Sequence, residues 1–96
     1  MIEKQIEVIV LETLKRFMTS LKKPFKTINR NTNPISDLCL DSPDGIDWVC
    51  DLEEEGLVIP LKVNPFVDDN EKPRNVDEII RLLYGFNKNT EKNVNE

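Results

Sequence analysis

The sequence predicts an all-α domain, a small three- to four-helix bundle, and three observations lead to it. Apolar residues recur at three- and four-residue steps near both ends of the chain. A Ser-Pro pair in the middle opens an apolar and acidic run that closes at a glycine, as a capped helix would. Nowhere do apolar and polar residues alternate with the two-residue period of a strand.

The first helix follows from Ile2, Ile6, Ile9, Val10, Leu14, Phe17, Met18 and Leu21, one apolar stripe along about twenty residues. Lys22, Lys23 and Pro24 suit its C-terminal end. Residues 25–40 hold Asn29, Asn31, Asn33 and Pro34 without a sustained period, and read as a long loop pinned by Phe25, Ile28, Ile35 and Leu38. The second helix is expected to start with Ser42 as N-cap and Pro43 at the first helical position. It should run to about Glu55 and stop at Gly56. Residues 59–75 contain Pro60, Pro65 and Pro73 and read as irregular, with a short helical turn near 66–69. Asn75 and Glu78 form a capping-box pair for a last helix, buried through Val76, Ile79, Ile80, Leu82 and Leu83 and ended by Gly85. Residues 1–86 are expected to form one domain, with 87–96 a flexible polar tail.

Composition limits the function. Ninety-six residues bury only a modest core, which leaves little room for a deep enclosed site. There is no histidine, so no Ser-His or Cys-His nucleophile pair can exist, and Cys39 and Cys50 alone make no zinc pattern. Both cysteines read as small hydrophobes. The stretch DSPDGID fails as a calcium loop, because, counted from Asp41, Pro43 falls at loop position 3, where an acidic ligand is needed, and Gly45 one place early. No metal site and no enzymatic activity are expected. The longest apolar run, at 8–11, is too short to span a membrane, and residues 1–7 lack a signal-peptide pattern, which suggests the cytoplasm.

Charge is strongly segregated. Residues 1–33 hold seven Lys/Arg and three Asp/Glu, whereas 34–60 hold no Lys/Arg and eight Asp/Glu. Such a middle segment repels nucleic acid and attracts a basic protein. On a helical wheel the second helix has an apolar arc wider than one core contact needs. Pro43, Ile46 and Cys50 form its edge, beside an acidic stripe of Asp44, Asp47, Asp51, Glu54 and Glu55. That edge is either extra core or a docking strip.

At this point the stretch DLCLDSPDGIDWVCDLEEEGLVIP, residues 37–60, resembles the centre of an acyl carrier protein. Asp37-Leu38 is similar to the turn before the family's second helix, and Asp41-Ser42 to its attachment dipeptide. Ile46, Val49 and Leu52 resemble that helix's apolar positions, Glu53, Glu54 and Glu55 its acidic run, and Ile59-Pro60 the next landmark. The likeness extends more loosely over residues 2–86, with Asn75, Val76, Ile80 and Leu83 resembling the last helix. It implies that Ser42 carries 4′-phosphopantetheine, whose thiol holds acyl or aminoacyl groups as thioesters. It also implies a docking face of Asp41, Pro43, Asp44, Ile46, Asp47, Cys50, Glu53 and Glu54. The partners would be a phosphopantetheinyl transferase and acyl-transferring or synthase enzymes with basic patches, and the carrier a monomer. The chain departs from the family pattern at Cys39, Pro43 and Gly45, in a longer segment before Val76, and at Trp48, a bulky residue where the family sequesters acyl chains. An unmodified adaptor that binds one protein through the same helix is the alternative. Read without the resemblance, Ser42 is a helix N-cap.

Overall fold

Helices α1 (Glu3–Ser20), α2 (Ser42–Glu54) and α3 (Val76–Asn87) form the frame of the domain. They are seen in a computed structural model that describes residues 1–89. Among the described residues there is no strand, only an isolated antiparallel bridge between Val67 and Pro73. The fold is thus the all-α helical bundle that the periodicity predicts, with three helices among the described residues.

The apolar stripe of α1 places Ile6, Val10, Leu14, Phe17 and Met18 in the core, and α1 packs against both α2 and α3. Each fully buried side chain of this kind contributes about 1.5–3 kcal/mol. The helix ends in a Schellman motif. The Lys23 N–H donates to the Met18 carbonyl (3.1 Å) and the Lys22 N–H to Thr19 (3.0 Å), with Lys22 left-handed at φ 57°. Helix α2 ends the same way, through Gly56 at φ 96° and a bond from Leu57 N–H to the Leu52 carbonyl. Gly56 is therefore the stop the sequence suggests.

The asparagines of the first connection are turn makers. Asn33 Oδ1 accepts from the N–H groups of Ile35 and Ser36, and Asn29 Oδ1 from Asn31. This loop also completes α3. The Val76 and Asp77 N–H groups, without partners inside their own helix, donate to the Thr32 and Arg30 carbonyls at 2.8 and 2.9 Å. The Arg30 guanidinium pairs with Asp77, Glu3 and Glu7, binding loop, α1 and α3 together. Its hydrogen bond to Asp77, chiefly, raises its pKa further above the ordinary value, against a desolvation that lowers it.

Three expectations need correction. The cap of α2 is Asp41 and not Ser42, so Ser42 is the first helical residue and Pro43 the second. No helical turn forms at 66–69. The chain folds back instead, with the Asp68 N–H on the Lys72 carbonyl and the Arg74 N–H on the Phe66 carbonyl. Helix α3 does not end at Gly85 but runs to Asn87. Asn87 belongs to the core: its side chain bonds both the N–H and the carbonyl of Val58. The expected tail otherwise falls mostly on residues 90–96, outside the described residues.

Gly85 now has no visible duty. It lies exposed inside α3, its φ is not positive, and a Cβ there would meet nothing within 4 Å. Replacing it with alanine should therefore stabilise the domain by about 0.5–1 kcal/mol. A urea midpoint that stays unchanged or falls would contradict this.

Candidate functional site

The head of α2 is built by its cap. The Asp44 carboxylate accepts from the Asp41 N–H at 2.8 Å, and the Asp44 N–H donates to the Asp41 carbonyl at 3.0 Å. An acidic residue in the first turn also suits the positive end of the helix dipole. This arrangement leaves fewer free amides at Ser42 than an N-cap serine would have. Pro43 has no N–H, and that of Asp44 is already engaged.

Ser42 itself is exposed. Its neighbour across the chain is Asn64, which sequence reasoning missed. Asn64 Nδ2 donates to the Ser42 carbonyl (2.8 Å) and to the Ser42 hydroxyl (3.2 Å). Asn64 is held in turn. Its Oδ1 accepts from the Phe66 N–H (2.9 Å), and its carbonyl accepts from the Arg74 guanidinium (2.8 Å). The same guanidinium nitrogen reaches the Val67 carbonyl at 2.6 Å, closing the turn around itself. The one sequence signal for this approach was Gly45, a glycine in the first turn of a helix. A Cβ at Gly45 would lie 2.1 Å from Asn64 Oδ1 and 3.0 Å from the Phe66 ring. The glycine is there to admit the other segment.

Beside Ser42 opens a groove of about 560 Å³. Lys62, Asn64, Asp68, Arg74 and Phe86 line it together with the serine. The Asp68 carboxyl is held below its ordinary pKa, first by the Lys72 N–H and despite desolvation, with help from the Asn70 N–H and the charges of Arg74 and Lys72. Asp68 thus closes the 68–72 turn as an acceptor for both amides, at 2.9 and 2.8 Å.

The expected docking face is exposed as one surface. Asp41, Pro43, Ile46, Asp47, Cys50, Glu53 and Glu54 are exposed, and Asp44 is half-buried. Ile46 keeps 49% of its surface open, so the apolar edge of α2 is not extra core. Next to it lies a shallow hollow of about 200 Å³ between α2 and residues 59–63. Leu61, 93% exposed, extends that apolar edge, and no period in the sequence marked it. Among the described residues, Lys62 is the one cation bordering the hollow.

The opposite face of α2 is fully committed to the core. Trp48 is wholly buried, stacks on Phe66 with ring centroids 5.3 Å apart, and donates through Nε1 to the Thr13 hydroxyl at 3.1 Å. The Thr13 hydroxyl donates in turn to the Ile9 carbonyl at 2.7 Å, so every buried side-chain polar atom here is satisfied. The core side of α2 is thus filled by the indole and phenyl rings.

Fold and site together define a class: a small three-helix domain that presents a serine at the head of an acidic, apolar-edged helix. No family model, curated protein or solved structure matches the chain. No described helix is long and apolar enough to cross a membrane. Among the described residues, no three His, Cys, Asp or Glu side chains are grouped to hold a metal ion.

Proposed function

We propose that the protein is a non-catalytic carrier domain that bears acyl or aminoacyl groups as thioesters on a 4′-phosphopantetheine esterified to Ser42. The observation that carries this reading is an exposed serine hydroxyl in the first turn of α2, directly above an exposed strip of Pro43, Ile46 and Cys50 flanked by carboxylates. A tethered group needs a reachable attachment point, and enzymes that share one carrier need a surface to recognise. The left-handed backbone at Cys39, φ 56°, agrees with the resemblance, since the family commonly has glycine there. Asp41, Asp44, Asp47, Glu53 and Glu54 would meet basic residues of the transferase and of the acyl-transferring enzymes. Trp48 and Phe66 fill the interior, so the cargo would ride outside the core.

Intact mass after incubation with coenzyme A and a broad-specificity phosphopantetheinyl transferase tests the reading. Wild type should gain one phosphopantetheine, and Ser42→Ala should gain none. An unchanged wild-type mass with several transferases would remove the carrier function.

The engaged N–H of Asp44 and the missing one of Pro43 favour a second reading, an adaptor that is never modified. It would bind one basic protein through the same face. In that case Ser42→Ala leaves binding intact, whereas lysine at Asp47 and Glu54 abolishes it.

A further inference from the structure

We infer that Asn64 is a positioning residue for the modification of Ser42, an assignment that rests on the carrier reading. In that transfer the Ser42 Oγ attacks the coenzyme A phosphorus that bears the pantetheine oxygen. An Oγ–P bond forms, the pyrophosphate P–O bond breaks, and adenosine 3′,5′-bisphosphate leaves. The hydroxyl proton passes to a base on the transferase. A free serine side chain divides its time among three staggered wells, and only some of them aim Oγ at an incoming phosphorus. Here one well is selected, because Asn64 Nδ2 donates at once to the carbonyl and the Oγ of the same residue. The bond uses an acceptor site on Oγ and leaves its proton free to depart.

Asn64 can do this because it is itself fixed. The Phe66 N–H on Oδ1 sets which end of the amide faces Ser42, and Arg74 anchors its main chain. Gly45 leaves the space in which the amide sits. After transfer the same neutral N–H remains beside the ester oxygen and can donate to the phosphodiester.

Two substitutions separate positioning from mere support of the turn. Asn64→Asp keeps an acceptor for the Phe66 N–H but turns the donor facing Ser42 into an acceptor. Asn64→Ala removes both. Both variants should lose roughly three- to tenfold in the rate of mass gain, the worth of one hydrogen bond and one rotamer choice. The loss should lie in kcat, with KM for the carrier within about twofold of wild type. Hydrogen exchange of the Phe66 amide should stay slow in Asn64→Asp and quicken only in Asn64→Ala. Modification of Asn64→Asp at the wild-type kcat overturns the positioning role. So does a rate loss confined to Asn64→Ala and matched by faster exchange, which is what a structural role alone produces. A wild type that never gains mass removes the carrier function itself, and this role with it; that failure is recognised without any variant.

Discussion

Trp48→Ala is expected to cost about 3–5 kcal/mol of folding stability. The indole is the largest fully buried side chain, and it closes the space between α1, α2 and the 61–74 segment. Its removal leaves a cavity against Phe66 and Thr13 that rigid helices cannot collapse. A domain of this size has roughly 5–15 kcal/mol in all, so the variant would sit near the folding threshold. Its melting temperature should fall by more than about 10 °C. Trp48→Phe tests the account from within. It keeps an aromatic ring on Phe66 and loses the Nε1–H bond to Thr13, whose own proton stays satisfied on Ile9. Its cost should be only about 1–2 kcal/mol. Equal losses for the two variants would mean that the hydrogen bond, and not the packing, holds this part of the core.

Gly45→Ala should destabilise the domain by about 1–3 kcal/mol, although alanine is the better helix former by about 1 kcal/mol. The reason is steric. The new methyl would meet Asn64 Oδ1 at 2.1 Å, and either the amide or the helix must yield. If Asn64 yields, its bonds to Ser42 and Phe66 go with it, and the 61–74 segment loosens over the Trp48 and Phe66 rings. Urea denaturation measures the loss, and the side-chain amide resonance of Asn64 shows whether that residue moved. Gly85→Ala is the matched control, with the opposite sign. A stabilised Gly45→Ala would mean that the two segments do not meet at this glycine.

These two glycines show where sequence reasoning works and where it stops. Both sit in helices, and propensity treats them alike. The sequence assigned Gly85 a stop and marked Gly45 only as a departure from the family pattern. In the fold, Gly85 is inside α3 with open space where a Cβ would stand, whereas a Cβ at Gly45 would collide with Asn64, nineteen residues further on. Helix ends show the same divide. Asn75 with Glu78 and Gly56 could be read directly, because caps are local hydrogen-bond patterns. The cap of α2 slipped by one residue because Asp41 and Ser42 are both good N-caps, and only the backbone angles choose between them.

By itself, the sequence determined the three helical stripes, the acidic middle segment, the turn-making asparagines and the serine at the head of α2. These depend on neighbours within about four residues, where side-chain spacing and backbone preference act directly. Tertiary structure alone decided that Ile46 stays outside the core, that Leu61 joins it on the surface, and that Asn87 holds Val58. It alone brought Asn64 and Arg74 to Ser42. Those contacts link residues far apart in the chain, and no local period records them. They exist because the Trp48 and Phe66 rings bury each other and draw the connecting segment down onto α2.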